Sequence, residues 1–348
     1  MKPMFEVGLS RDFLTADGKL TYQDIGLDVL DQNPTIHRRF FDHHEPTVTA
    51  EQIRDLDALI ALTPRCTVET FKGADRLIVL ERFGVGYDMV DVGACTAAGV
   101  ALCIAVGAVN HSVAESIIAW MLTLSHRVAM KDRLLREGRW AERGGYMGSK
   151  LRDRTLGVVG IGGIGGKLIE MIRGFGMKTI IAYDPFVTPQ RADALGVKLV
   201  DLNQLMREAD FVSVNCPLND QTRNLIGSEQ LRLMKPDAFL INTARGGIVN
   251  EPSLIEVLRA GKIAGAAVDV FEAEPVGKNH PLAEFDNVIL APHCIAWTNE
   301  LFRDIGRRAC QTVASFAQGV IPDGVIVNRE VLERDKFQTK LKKLRERL

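Results

Sequence analysis

The chain has 348 residues, with 43 lysines and arginines against 44 aspartates and glutamates, and 46% of it is hydrophobic. That is ordinary globular composition at a length suited to two domains, and a net charge of −1 offers no global field to recruit nucleic acid or an anionic membrane. Six cysteines without a CxxC pair or zinc spacing, no secretory pattern and no membrane-spanning apolar stretch point to a reduced, cytoplasmic protein without a metal.

In chain order, the first hundred residues are irregular. Leu56–Leu62, Asp75–Gly86 and Gly99–Ala105 read as strands with following loops, which suggests a smaller α/β domain. His111–Met130 is long enough for roughly five turns of helix. It is apolar on most of its circumference, so burial on two sides is expected, one against its own domain and one against a second subunit. From Leu156 the pattern becomes regular. TLGVVG (Thr155–Gly160), TIIAYD (Thr179–Asp184), DFVSVN (Asp210–Asn215), AFLINT (Ala238–Thr243), GAAVDV (Gly265–Val270) and NVILAP (Asn287–Pro292) alternate with helical stretches. Such near-continuous apolar strands predict a parallel sheet covered on both faces, a doubly wound Rossmann-type domain. After Pro292 helix resumes through Glu300–Gln318, a segment expected to return to the N-terminal domain. The charged end, Arg329–Leu348, shows no repeated apolar stripe and reads as a solvated tail. The expected organisation is therefore residues 105–295 as a nucleotide domain, residues 1–104 and 296–330 as a discontinuous catalytic domain, and residues 331–348 as a charged C-terminal tail.

VVGIGGIGG (Val158–Gly166) supplies Gly160, Gly162 and Gly165 in GxGxxG spacing, after an apolar strand and at the start of a helical stretch. The first glycine permits the tight turn, the second lets backbone approach a pyrophosphate, and the third lets helix pack on strand. Asp184 ends the next strand about twenty positions further on, where a ribose-binding carboxylate is expected. A carboxylate accepts from a ribose 2′-OH and repels a 2′-phosphate, so NAD is favoured over NADP. No GK[ST] follows the turn, which excludes a P-loop.

Three later segments each end a strand: INTARGG with Arg245, DVFEAEP with Glu272 and Glu274, and APHCIAWT with His293. In an open parallel sheet ligands bind beyond the carboxyl ends of strands, so these segments can converge on the cofactor crevice. Hydride transfer to a 2-oxo acid needs a cation for the carboxylate and keto oxygen, which suits Arg245, and an acid for the developing alkoxide, which suits His293. A carboxylate on the far imidazole nitrogen would fix its tautomer. Glu272 and Glu274 are equal candidates on the residues alone.

Together these motifs, with ERFGVGYDMVD (Glu81–Asp91) and VNHSVAE (Val109–Glu115), resemble the D-isomer-specific 2-hydroxyacid dehydrogenase family from about Leu56 to about Asn328. The resemblance implies a Rossmann-type nucleotide domain inserted into a smaller flavodoxin-like α/β catalytic domain, and a homodimer joined through the nucleotide domains. It implies Arg245 as the substrate-binding arginine, Glu274 as the histidine's partner, His293 as general acid/base, and backbone amides of Val85 and Gly86 on the substrate carboxylate. It also implies NAD contacts from Gly160, Gly162, Gly163, Ile164, Gly165, Asp184, Asn215, Pro217, Thr222, Thr243, Ala244, Asp269 and His293. Asn215 departs from the histidine that members often carry in that loop, and CIAWTNE departs from their glycine- and serine-rich sequence. Trp297 suits a pocket wall or packing at a domain junction, and Arg65 suits the substrate or the surface. GVGYD resembles hydroxypyruvate and glyoxylate reductases. The second functional class is an NAD(H)-binding scaffold like the C-terminal-binding corepressors, against which stands the absence of a Ser/Pro-rich tail. Glu274 argues against a formate dehydrogenase. His43, His44 and His111 suit surface or capping roles, with no further ligand at metal spacing.

Overall fold

Short apolar runs become the strands of two parallel sheets. In the computed structural model, which describes residues 4–347, the chain divides after Val109 and again before Trp297. Residues up to Val109 and from Trp297 onward form one unit, and residues 110–296 form the other.

The first unit holds β1 (Phe5–Leu9), β2 (Ile36–Phe40), β3 (Ala58–Ala61), β4 (Val79–Arg82) and β5 (Ala101–Ile104), in the order β2-β1-β3-β4-β5 with every pair parallel. This is the flavodoxin-like order, which reverses direction between β1 and β3. Neither β1 nor β2 is among the strands expected from sequence. β2, IHRRF, buries only Ile36 fully, as befits an edge strand whose cations face solvent. The helix Asn299–Ala317 packs on β4 and on the short helix Asp28–Asp31. It buries Leu301, Phe302, Ile305, Val313 and Phe316.

The solvated tail expected at residues 331–348 is overturned for its described part. Asp335–Arg347 is a helix that buries Phe337, Leu341 and Leu344. These positions repeat at helical spacing and form a stripe, narrow because lysines and arginines fill the rest of the surface. Lys340 Nζ donates to the carbonyls of Leu77 at 2.8 Å and Ala98 at 2.7 Å. Arg347 donates to the buried carboxylate of Asp57, which Arg76 also holds. Burial pulls the Lys340 ammonium down to about 8.

The second unit contains β6 (Thr155–Val159), β7 (Thr179–Tyr183), β8 (Lys198–Leu199), β9 (Phe211–Val214), β10 (Phe239–Asn242), β11 (Gly265–Val268) and β12 (Val288–Leu290). Their order is β12-β11-β10-β9-β6-β7-β8, with all pairs parallel. This is the doubly wound sheet expected, with the reversal between β6 and β9 and helices on both faces. The single long helix expected over His111–Met130 is two. Asn110–Ser125 ends where Ser149 N–H donates to the Ser125 carbonyl at 2.8 Å. Arg127 then turns left-handed at φ 54°, and Val128–Arg136 starts afresh. Among the described residues no helix is long and apolar enough to cross a membrane.

Candidate active site

All the nucleotide-unit candidates lie at or just beyond carboxyl ends of strands. After β6, Gly160 has φ +88°, and a Cβ there would lie 2.8 Å from Cys216 N, in the loop after β9. A Cβ at Gly165 would meet the Gly160 carbonyl oxygen at 2.1 Å, so the helix Gly163–Ile172 can seat on the turn only with glycine there. A Cβ at Gly162 would meet nothing within 4 Å, and Gly163 lies against the Asn110 amide. Ile164 packs against the core behind the turn. Asp184 follows β7. Its Oδ2 accepts the Ile161 N–H of the glycine turn at 2.9 Å and its Oδ1 accepts the Phe186 N–H at 3.0 Å. An ionised carboxylate keeps further acceptor sites beyond these two.

Asn215 follows β9 and donates through Nδ2 to Ser213 O and Oγ, both at 3.1 Å, while its Oδ1 is buried without a donor. Downstream, Thr222 Oγ1 donates to the Pro217 carbonyl at 2.6 Å and so folds that loop on itself. An open face at Gly162, a helix N-terminus beside it, a carboxylate at the tip of β7 and an orphaned acceptor at Asn215 fit a dinucleotide. Burial pushes the neighbouring Cys216 thiol up to about 11, so it stays protonated and unreactive at neutral pH.

Beyond β10, Asn242 Nδ2 donates to the Arg245 carbonyl and Asn242 Oδ1 accepts the Ala244 N–H, each at 3.1 Å. The buried amide thus pins the turn Thr243–Arg245, and Arg245 Nη1 donates to the Ala244 carbonyl at 2.8 Å. The two glutamates of DVFEAEP separate cleanly. Glu272 Oε1 accepts the Glu251 N–H at 2.9 Å, at the start of the helix Glu251–Arg259. Glu274 Oε1 accepts the Phe271 N–H at 2.9 Å, and its Oε2 lies 2.8 Å from His293 Nδ1. Burial raises the Glu274 carboxyl, but the bonds from His293 and Phe271 and the charges of His293 and Arg245 outweigh it. The group is held below the ordinary carboxylate range.

His293 follows β12 in a left-handed backbone conformation at φ 54°. Asp269, beyond β11, holds that turn. Its carbonyl accepts the His293 N–H at 2.8 Å, and its Oδ1 accepts the N–H of Cys294 at 2.9 Å and of Ile295 at 3.2 Å. Burial pushes the Asp269 carboxyl up to about 6, with the negative charge of Glu274 adding to the rise and these bonds and His293 opposing it. Sequence reasoning missed this turn-holding role. A bare aspartate at a strand end carries no spacing signal for it.

In the other unit, Val85 and Gly86 are half-buried in the loop after β4. That loop is strapped at Phe83 N to the Ala61 carbonyl and at the Gly84 carbonyl to Ala105 N, each at 2.8 Å. Trp297 is 53% exposed and stands edge-on to Tyr22 and Phe302 of its own unit. Arg65 is exposed and pairs with Thr47 through backbone.

A family model described as D-isomer specific 2-hydroxyacid dehydrogenase, NAD binding domain, matches residues 118–294. The chain is 37% identical over 290 residues to a glyoxylate reductase of Korarchaeum cryptofilum, covering 82% of this chain and 87% of that relative. It is 37% identical over 292 residues to a D-3-phosphoglycerate dehydrogenase of Archaeoglobus fulgidus, covering 83% of this chain but 55% of that protein, so it spans about half that relative's length. Among solved structures, a glyoxylate reductase from Paecilomyes thermophila superposes with a TM-score of 0.80 at 26% identity, covering 95% of this chain and 100% of that one.

Proposed function

The chain belongs to the D-isomer-specific 2-hydroxyacid dehydrogenase family and is an NAD-dependent oxidoreductase of D-2-hydroxy acids, and on that premise we propose that Arg245, Glu274 and His293 carry its reaction. The Gly160–Gly165 turn would hold the pyrophosphate at the N-terminus of its helix, and Asp184 the ribose hydroxyls. Asn215, Pro217, Thr222, Thr243, Ala244 and Asp269 are proposed to complete the cofactor contacts. NAD, when bound, supplies the two-electron chemistry at C2 of the substrate. Arg245 binds and orients the 2-oxo acid through its carboxylate and keto oxygen. Backbone N–H groups of Val85 and Gly86 are proposed to receive the carboxylate.

In the direction of reduction, negative charge develops on the substrate oxygen and His293 Nε2 delivers a proton to it. In oxidation the same nitrogen takes the proton away. Glu274 fixes the hydrogen on Nδ1 and favours the imidazolium. The observation that carries this reading is the 2.8 Å contact of Glu274 with His293, with the charge of Arg245 acting on the same carboxylate. A corepressor-like scaffold is not favoured, since the relatives are named for oxidoreductases.

The proposed substrate is a small 2-oxo or 2-hydroxy acid of the glyoxylate, hydroxypyruvate or phosphoglycerate kind. The motif GVGYD and the names of the relatives support that range. Oxidation of NADH by the purified protein over a panel of 2-oxo acids tests it. Turnover of one or more small members is expected, and a panel without turnover would sink the reading.

We also propose a homodimer joined through the nucleotide unit. The segment after the helix Asn110–Ser125 exposes Val128, Leu135, Trp140 and Met147 at 50%, 61%, 63% and 75%. A monomeric mass by light scattering would overturn it. Six unpaired cysteines, four of them buried, support a reducing, cytoplasmic setting.

A further inference from the structure

Glu274 is aimed at His293 by the turn Phe271–Glu274, and two residues outside the proposed chemistry grip that turn from behind. The His280 and Glu251 side chains are only 16% and 18% exposed. His280 Nδ1 accepts the Leu282 N–H at 3.3 Å, which leaves the ring hydrogen on Nε2. Nε2 donates it to Glu251 Oε1 at 3.0 Å. The ring stands edge-on to Phe271 with centroids 5.1 Å apart. Glu251 then clamps Glu272 from both sides. Glu251 Oε2 accepts the Glu272 N–H at 3.3 Å, and Glu272 Oε1 accepts the Glu251 N–H at 2.9 Å. The next N–H back, that of Phe271, is the one donated to Glu274. One connected path therefore runs from His280 through Glu251 and the 271–272 backbone to Glu274 and His293.

We infer that His280 and Glu251 are positioning residues for the proton-transfer pair, a role that rests on the assignment of Glu274 and His293 above. Without the His280 N–H, Glu251 Oε1 is left in a largely closed site without its donor. Its carboxylate then turns toward water and releases the Glu272 N–H. The turn loosens, and Glu274 no longer meets His293 at hydrogen-bond distance. The effect reaches the chemistry only through the His293 imidazolium. The charged groups around that ring are Glu274, Asp269 and, acting on Glu274, Arg245. None of these is altered by changing His280 or Glu251.

The test is an NMR measurement of the His293 Nδ1–H that is hydrogen-bonded to Glu274 in the cofactor-free protein, with the signal assigned by its loss in His293→Asn. It is run beside kcat for 2-oxo acid reduction. In His280→Ala and Glu251→Gln that signal should move upfield or exchange away, and kcat should fall about tenfold, a fraction of a general acid's whole contribution. His280→Gln, whose side-chain N–H can still reach Glu251, should keep the signal and stay within about twofold of wild-type kcat. A His293 Nδ1–H signal unmoved in His280→Ala, with only the melting temperature lowered, would make His280 a structural residue and overturn the inference. So would equal impairment of His280→Gln and His280→Ala. Full turnover in His293→Asn would instead remove the general-acid assignment itself, whatever the spectra show.

Discussion

A first side-chain carbon on Gly246 would lie 1.7 Å from the carbonyl oxygen of Phe271. The backbone that follows Arg245 and the backbone that leads to Glu274 are therefore in direct contact, and only a residue without a Cβ lets them close. This contact fixes how closely the loop of Arg245 and the loop of Glu274 approach.

Gly246→Ala should force the two loops apart by about 1 Å or more, enough to lower kcat roughly a hundredfold. NADH affinity, read by fluorescence quenching, should weaken as well, because Thr243 and Ala244 of the displaced loop are proposed cofactor contacts. Wild-type kcat in the alanine variant would show that the spacing is not critical.

Asp184 accepts the Ile161 N–H at 2.9 Å, so its charge is held against the glycine turn. Asp184→Ser removes a carboxylate that repels a 2′-phosphate. The NADPH-to-NADH ratio of kcat/KM should rise about tenfold or more, with a weaker Kd for NADH. A wild type that already prefers NADPH would defeat the assignment.

Glu81 on β4 has no exposure, and neither carboxylate oxygen has a hydrogen-bond partner among the described residues. Burial pushes its carboxyl well above the ordinary range, opposed by the charges of Arg308 and Arg82, while Cys103 and Cys310 are the thiols that feel it. A raised folded-state value means that stability is fully present below about pH 4.5 and falls as pH rises through the raised value. Glu81→Gln should remove that fall. Denaturant midpoints between pH 5 and 8 should drop for wild type and stay flatter for the variant, with a gap on the order of 1–3 kcal/mol at the upper end. Parallel slopes would mean that Glu81 is ionised or solvated in the fold.

Much of this was legible in sequence because the nucleotide unit is built from strands buried on both faces. Thr155–Val159 and Phe211–Val214 have no polar face to confuse the reading. β8, only Lys198–Leu199, was too short to see, and β2 hid behind the cations of IHRRF. At the break of the long helix the Ser125 carbonyl is taken by Ser149, a partner far along the chain that leaves no local signal. The choice of Glu274 over Glu272 needed either the family motif or the observed turn. The turn points one carboxylate at His293 and the other at a helix N-terminus.

The C-terminal helix was misread because Phe337, Leu341 and Leu344 are diluted by basic residues. Phe337 is fully buried and packs where a Cβ on Gly99 would meet its backbone N at 2.8 Å. Phe337→Ala should destabilise the protein by about 3–5 kcal/mol, read by urea denaturation. A loss under 1 kcal/mol would return the helix to the status of a tail.

Removing the acid and removing its partner should have different signatures. His293→Asn takes away the proton donor, so reduction should slow by about 100- to 10,000-fold at every pH. Glu274→Gln keeps a group of the same shape but removes the charge that favours the imidazolium. The proton-bearing form of His293 is the one that reduction needs. The alkaline limb of kcat against pH should therefore move to lower pH in the glutamine variant, with less change in rate on the acid side. Asp269, pushed up to about 6 mainly by burial, loses the raising charge of Glu274 in this variant. Any inflection that its protonation causes near pH 6 should therefore move to lower pH in Glu274→Gln. Glu272→Gln is the control. Its carboxylate faces the Glu251 N–H and not the imidazole, and the amide oxygen of glutamine can still accept that N–H and keep the clamp, so its alkaline limb should stay with wild type. If Glu272→Gln moves that limb and Glu274→Gln leaves it in place with normal turnover, the partner has been assigned to the wrong glutamate. If His293→Asn keeps full turnover, another group supplies the proton.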